Sequence, residues 1–565
     1  MKHLSFLRAA GLLAGLLLAL ASQAAAQAPA WQSARVIAEA TAAVGNYSTV
    51  NATAVDAAGN VYVAGSFSNT VVMGSATLTS LGGADVFVAK FSPTSNQFMW
   101  VQRAGGTNND EAIALAVSGS SVYVAGTFSS PTAGFGSTTL AGAGSADVFV
   151  AKLTDAGSTG SFAWAQRAGG TDNDAAFGLA VSGTSVYVAG DSQSPTVGFG
   201  STTLTNAGSV DGFVAKLTDA GSTGSFVWAQ RAGGTGYDAA FGLAVNGNSV
   251  YVAGFFGSPT VGFGSTTLTN AGYDNVFVAK LTDAGSTGSF AWAQRAGGTN
   301  GDYAYALAVS GTSVYVAGVF GSPTADFGST TLTNAGFGNV FVAKLTDAGS
   351  TGSFAWAQRA GGTREDNAAA LAVSGTSVYV AGRFGSPTAG FGSTLLANAG
   401  ASTPDVFVAK LTDAGSTGSF AWAQRAGGTD LDEARALTVS GTSVYVAGYF
   451  IGPTAGFGTA TLINPNPNTN LGFLASLTDP TLTSTATAPP REPAALFPNP
   501  ARRMATLRLP AGTPGAPLTL TDALGRAVRR YPAPAGPETA LDLGGLPAGL
   551  YLLRGAGPAR RLAVE

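Results

Sequence analysis

The sequence predicts an all-β chain whose body is a run of seven copies of one four-stranded antiparallel unit. Three observations predict it. With 79 Gly, 25 Pro and only 10% charged residues in 565, the composition favours many short strands and turns over helices. The pentapeptide Val-Tyr-Val-Ala-Gly occurs seven times, its tyrosine at Tyr62, Tyr123, Tyr187, Tyr251, Tyr315, Tyr379 and Tyr445. Six tryptophans, Trp100, Trp164, Trp228, Trp292, Trp356 and Trp422, recur with nearly the same period.

Each unit can be followed strand by strand. A short apolar stretch such as Phe177-Gly-Leu-Ala-Val181 and a turn such as Ser-Gly-Thr-Ser precede the pentapeptide. After a connection comes a strand like Asp147-Val-Phe-Val-Ala-Lys152, then the turn Thr154-Asp-Ala-Gly-Ser-Thr-Gly160 and a fourth strand, Phe162-Ala-Trp-Ala-Gln-Arg167. These strands are apolar on both faces: Val186 and Val188 point one way, Tyr187 and Ala189 the other. Such a sheet must be covered on both sides, which four-stranded blades packed face to face around an axis achieve. A β-helix needs a shorter coil, and an open stack needs polar caps that this sequence lacks.

The count predicts how the ring closes. The seventh unit ends at Gly472-Phe-Leu-Ala-Ser476 with no fourth strand after it, whereas Trp31, followed by Gln32, precedes the first unit. The reading is a seven-bladed β-propeller in which the N-terminal strand, with Trp31 as the seventh member of the tryptophan series, completes the last blade and removes its free edge. The paired Val-Tyr-Val-Ala-Gly and Asp-Val-Phe-Val-Ala-Lys strands resemble those of the bacterial seven-bladed β-propeller repeat family over roughly residues 31 to 478. The last copy departs, with Leu471 and Ser476 in place of Asp and Lys. The resemblance implies a scaffold and no single activity.

Outside the repeats, Lys2 and Arg8, the apolar stretch Ala9 to Ala21 and the small-residue site Ala24-Ala25-Ala26 read as a signal peptide over residues 1–26. The propeller is expected over 27–478 and a Thr/Pro-rich linker over 479–494. No later segment has the length of an apolar membrane helix. The chain has no Cys, and its one histidine, His3, leaves with the signal peptide. That excludes Ser-His-Asp and Cys-His catalysis and the usual zinc shell, and makes an enzyme the lesser expectation. Residues 27–487 carry 16 Lys and Arg against 26 Asp and Glu, a balance that argues against a nucleic-acid partner.

Residues 495–565 contain Leu496-Phe-Pro-Asn-Pro500, Leu518-Thr-Leu-Thr-Asp-Ala-Leu-Gly-Arg526 and Leu541-Asp-Leu-Gly-Gly-Leu-Pro-Ala-Gly-Leu-Tyr551. In order and spacing these look like the type A sorting domain of type IX secretion. The resemblance implies a small β-sandwich read by the type IX translocon and a secreted or outer-surface location. It assigns the motif to Pro498, Asn499, Pro500, Gly525, Arg526, Gly549 and Tyr551.

In a four-stranded blade, the loop leading into the first strand and the connection between the second and third lie on one face. The turns of the opposite face are nearly identical between copies, whereas the first face varies, from Thr107-Asn-Asn-Asp110 to Thr363-Arg-Glu-Asp366 and from Asp191 to Arg383 to Tyr449. Recognition of a surface polysaccharide or protein is expected on the varied face. Asp110, Asp174, Asp238, Asp302, Asp366 and Asp432 recur there. They could ring the channel mouth as ligand-binding groups, or hold Ca²⁺, or tie their loops by accepting backbone N–H bonds. Lys90, Lys152, Lys216, Lys280, Lys344 and Lys410 are expected at solubilising strand edges. Binding or adhesion is the favoured function, ahead of a purely structural surface role and of a carboxylate-based carbohydrate-active enzyme.

Overall fold

The computed structural model describes residues 28–40, 45–400, 403–482, 495–497, 500–508, 517–522, 525–534, 538–555 and 560–565. The expected signal peptide and residues 483–494 of the linker lie outside the described residues. Two compact units divide the chain, Met1–Thr483 and Ser484–Glu565. Every regular element among the described residues is a β-strand.

The first unit contains seven large antiparallel sheets. Sheet 2 shows the pattern: Asp110–Ser118, Ser121–Phe128, Asp147–Asp155 and Gly160–Ala168 lie side by side in chain order. Sheets 3 to 6 repeat it, beginning at Asp174–Ser182, Asp238–Asn246, Asp302–Ser310 and Asp366–Ser374. The connection between second and third strands holds a small hairpin, Thr132–Phe135 with Thr138–Ala141, that pattern reading did not anticipate. Its turn uses Gly136 at φ 61°, and its Phe135 is buried against Phe149 at 4.9 Å and Phe162 at 5.6 Å. In sheet 1 the hairpin is continuous with the long strands Val61–Met73 and Ala76–Ser92.

Sheet 7 consists of Asp432–Ser440, Ser443–Phe450, Leu471–Thr478 and, outermost, the N-terminal strand Trp31–Val36. The register corrects one detail of the sequence reading. Trp31 lies opposite Leu477, as Phe162 lies opposite Leu153, while Ser33 takes the place opposite Ser476 that the repeated tryptophans hold opposite lysine. Trp31 accordingly meets Phe457 edge-on at 5.2 Å, as Phe162 meets Phe135. The similarity of Trp-Gln to Trp-x-Gln was misleading by two positions.

Burial on both faces explains the two-sided apolar alternation: Val186, Tyr187, Val188 and Ala189 are all enclosed. Each sheet shares a core with the next. Tyr62, Val88 and Trp100 of sheet 1 meet Val124, Phe149 and Leu153 of sheet 2, and so on round to Tyr445, Ala447 and Leu474 of sheet 7 against Val61, Val63 and Phe87 of sheet 1. First strands are neighbours all the way round.

The residues that define the repeat form one device. Tyr123, Lys152 and Trp164 stand side by side on adjacent strands of sheet 2. All three donate to a single carboxylate of sheet 3, Asp219, at 2.7, 2.6 and 2.9 Å. The same latch runs from Lys90 to Asp155, Lys216 to Asp283, Lys280 to Asp347 and Lys344 to Asp413, and from Lys410 and Tyr379 to Asp479, where Thr481 takes the place of the tryptophan donor. This corrects the expectation of solubilising edge lysines. The six ammonium groups are buried between sheets, where only a paired charge is tolerable, and the repeated turn aspartates supply the pairing. The seam from sheet 7 to sheet 1 has no such latch, because Ser476 and Pro93 occupy the places of Lys and Asp. There the N-terminal segment bridges instead. Arg35 lies over Phe91 at 4.1 Å and hydrogen-bonds Asn96, Ile37 N–H donates to Gly472 O at 2.8 Å, and Glu39–Ala40 pairs with Val71 and Val72 of sheet 1.

The second unit has a three-stranded sheet of Ala495–Phe497, Met504–Arg508 and Glu538–Asp542. A four-stranded sheet of Ala527–Tyr531, Leu518–Thr521, Gly549–Arg554 and Arg560–Val564 accompanies it. Leu507, Leu541, Leu520, Leu553 and Leu562 from both sheets share one core.

Candidate functional site

The six aspartates singled out by sequence open the first strands of sheets 2 to 7, but they are buried, none more than 1% exposed. Asp110 accepts Gly106 N–H at 2.6 Å and Ser130 Oγ–H at 2.7 Å, and Asp302 and Asp366 repeat this with Gly298 and Ser322 and with Gly362 and Ser386. Asp174 and Asp238 do the same with Ser194 and Ser258. Each of these five carboxylates therefore ties the loop leading into its strand to the connection after the second strand. An open ring of acids at the channel mouth is thereby corrected, and the alternative of loop-tying aspartates holds: Asp110, Asp174, Asp238, Asp302 and Asp366 are consumed internally, and Asp432 is buried on the Gly428 N–H. Among the described residues no three Asp, Glu, His or Cys side chains are grouped to hold a metal ion.

Asp432 is the exception within the series. Gly452 stands where the other copies have serine, and its N–H donates to Pro467 O at 2.9 Å where those serines give theirs to the carboxylate, so Asp432 Oδ1 has no hydrogen-bond partner. Burial pushes its carboxyl up to about 8, only partly opposed by the Gly428 N–H bond.

The side chains that do face the ring's centre were missed. In every first strand one residue is extruded as a β-bulge: Asn51, Ile113, Phe177, Phe241, Tyr305, Ala369 and Arg435 in sheets 1 to 7. All seven line a single cavity of about 450 Å³, together with Glu111, Asn367 and Glu433. Two glycines make room for this. A Cβ on Gly190 would collide with the Ala175 carbonyl beside the bulge. One on Gly178 would lie 2.5 Å from Phe241 O, so glycine lets the first strands of sheets 3 and 4 approach. A signal was available in the sequence: within the otherwise repeated Asp-x-Ala-x-Ala/Gly-Leu stretch, the second x reads Ile113, Phe177, Phe241, Tyr305, Ala369 and Arg435.

The cavity has two unlike sides. Sheets 3 to 5 contribute aromatic rings: Phe177 and Phe241 stack at 4.6 Å, Tyr305 meets Phe241 at 5.3 Å, and Phe255 lies behind Phe241 at 5.9 Å. Sheets 6, 7, 1 and 2 contribute a polar arc. Arg435 donates to Asn51 Oδ1 at 2.8 Å, and Asn51 donates to Glu111 at 2.9 Å. Tyr449 donates to Glu433 at 3.0 Å, while Arg383 bridges Glu433 at 3.4 Å and Glu365 at 3.1 Å. Arg383, Tyr449 and Glu365, three of the residues that vary on the first face, are thus brought together, whereas Asp191 is buried apart with Tyr237. Burial alone would lower the Arg383 guanidinium, but Glu433 and Glu365 outweigh it and raise it. Burial also pushes the Tyr305 hydroxyl up to about 12 and the Asp191 carboxyl up to about 7. Such a site can hold an amphipathic ligand by stacking on one side and hydrogen bonding on the other.

In the second unit, Pro500 is exposed, Gly525 takes φ 79° in a turn, and Arg526 closes that turn by bonding Asp522 at 2.8 Å through Nε. Gly549 opens a strand, and Tyr551 is buried with its hydroxyl on Pro547 O at 2.7 Å. Pro498 and Asn499 lie outside the described residues. No helix among the described residues is long and apolar enough to cross a membrane.

No protein-family model matches the chain. No curated protein matches it either. Solved structures similar to it include a protein from Lactobacillus plantarum, at 13% identity and TM-score 0.40 over 72% of this chain and 97% of that one. The phage phi92 endosialidase is similar at 10% identity and TM-score 0.36 over 94% and 87%. A Trypanosoma rangeli sialidase in complex with sialic acid is similar at 11% identity and TM-score 0.31 over 80% and 79%. Likeness this low carries no functional argument for the chain.

Proposed function

We propose that the first unit is a seven-bladed β-propeller serving as a binding or adhesion scaffold on a secreted or outer-surface protein. In the same reading the C-terminal unit is a β-sandwich sorting domain that the type IX translocon recognises. The observation that carries the binding reading is a contrast within near-identical repeats. Six of the seven seams keep one set of side chains, Tyr, Lys, Trp and Asp, while the bulge positions around one cavity hold seven side chains of six kinds. A fold that needed those positions only for packing would repeat them as it repeats the latch. Export is supported by the signal-peptide pattern and by the three ordered C-terminal motifs.

Two measurements test this. In a host with type IX secretion, the chain lacking residues 495–565 should remain in the periplasm, and normal arrival at the surface or in the medium overturns the sorting assignment. Purified full-length protein should bind washed host cells or their surface polysaccharide saturably. That binding should weaken in Arg383→Ala with Glu433→Gln and persist in Asn246→Ala on the opposite face; the reverse pattern overturns the placement of the site.

A further inference from the structure

We infer that the central cavity receives the end of a neutral hexose-based glycan, one pyranose ring resting on the aromatic wall of Phe177, Phe241 and Tyr305 and its hydroxyls on the opposite polar arc. This deepens the scaffold reading and rests on it. A volume of about 450 Å³ is within the range of small-ligand sites and suits a terminal sugar and its neighbour. A pyranose ring presents a face of C–H groups, apolar and slightly positive, that complements the negative face of an aromatic ring. Phe177, Phe241 and Tyr305 pack on one another, with Phe255 beside Phe241, so little side-chain freedom is lost when a ligand rests on the wall they form. Packing does not require these rings, because the same bulge position is Ala369 in sheet 6 and Asn51 in sheet 1.

The other side of the cavity supplies what the sugar's rim needs. Asn51, Glu111, Glu433 and Arg435 offer donors and acceptors, and Asn367 Oδ1 is buried without a hydrogen-bond partner. A sugar hydroxyl would satisfy that acceptor. Charge selects the class of glycan. The cavity is lined by two carboxylates, Glu111 and Glu433, and one guanidinium, Arg435, which Glu433 and Asn51 already engage, and the nearby Arg383 is taken up by Glu365 and Glu433, so uronate, sulfate and phosphate groups are disfavoured. Beyond the cavity, on the loops of sheets 4 and 5, Tyr273 and Phe337 are 74% and 83% exposed and offer further rings to the rest of the chain.

Affinity electrophoresis of the full-length chain through gels containing laminarin, hydroxyethylcellulose, mannan, alginate or heparin tests this. At least one of the three neutral polysaccharides should retard the protein. Phe241→Ala and Tyr305→Ala should each weaken retardation roughly tenfold, whereas Phe241→Tyr and the distant surface change Leu395→Ala should leave it intact. Retardation lost only in Tyr273→Ala with Phe337→Ala would move the sugar to the outer face, overturning the cavity site while leaving the scaffold reading in place. Retardation by alginate or heparin alone, or by none of the five, overturns the ligand class, and the cell-binding measurement then decides the scaffold reading separately.

Discussion

A single carboxylate between sheets gathers a tyrosine hydroxyl, an ammonium and an indole N–H, and that economy makes it the most sensitive kind of residue in the ring. Burial alone would raise the Asp219 carboxyl, but the bonds from Lys152, Tyr123 and Trp164 hold it below the usual carboxylate range, and Asp479 is held at about 2. Asp219→Ala should cost about 3–5 kcal/mol, because Lys152 is left buried and unpaired, and denaturant melts should show the loss. Depressed folded values mean that the latches stabilise fully above the ordinary carboxylate range and lose that contribution as pH falls toward 2. Asp191 and Asp432 act oppositely. Their carboxyls are raised to about 7 and about 8, so they favour the fold below pH 4 and withdraw that support as the pH climbs through those values. Asp191→Asn with Asp432→Asn should raise the melting temperature at pH 9, by an amount on the order of a few kcal/mol in stability, and change it little at pH 4. Equal melting of variant and parent at pH 9 would show that these groups ionise freely.

At the scale of elements, the N-terminal strand carries a task out of proportion to its length. Trp31–Val36 covers the edge of Leu471–Thr478, and the next residues cross to sheet 1. Deleting residues 27–40 should lower the melting temperature and expose a strand edge that promotes concentration-dependent association. Trp31→Ala alone should cost about 3–5 kcal/mol through the space it leaves against Phe457. Sedimentation and melting unchanged by the deletion would show that the edge needs no cover. The presence of this strand was legible because the repeat count left one place empty. Its register was not, since a bulge between Trp31 and Ser33 shifts the chain by a step that the residue pattern does not display. The bulges at Phe177, Phe241 and Tyr305 escaped notice for a related reason: alternation assigns every residue to one of two faces and has no place for a third direction.

For the ring as a whole, among the described residues six seams carry a buried ion pair and one does not. The seam between sheets 7 and 1 therefore should open first. Native-state hydrogen exchange should find Ile37 and Gly472 less protected than Asp219 and Asp283, whose amides lie at latched seams; the opposite order would place the weakest seam elsewhere. The sequence by itself determined the four main strands of each sheet, the turns between them and the vacant place in the last unit, though not the small hairpins, because alternation and turn chemistry act over a few neighbouring residues. Only the tertiary structure decided what the repeated side chains do. Asp219 meets Trp164, Lys152 and Tyr123 across 55, 67 and 96 residues of chain, and the packing of one sheet on the next gives a lysine within the third strand a buried partner instead of water. The same packing brings seven residues, one from each first strand, around one cavity, a convergence that no local pattern encodes.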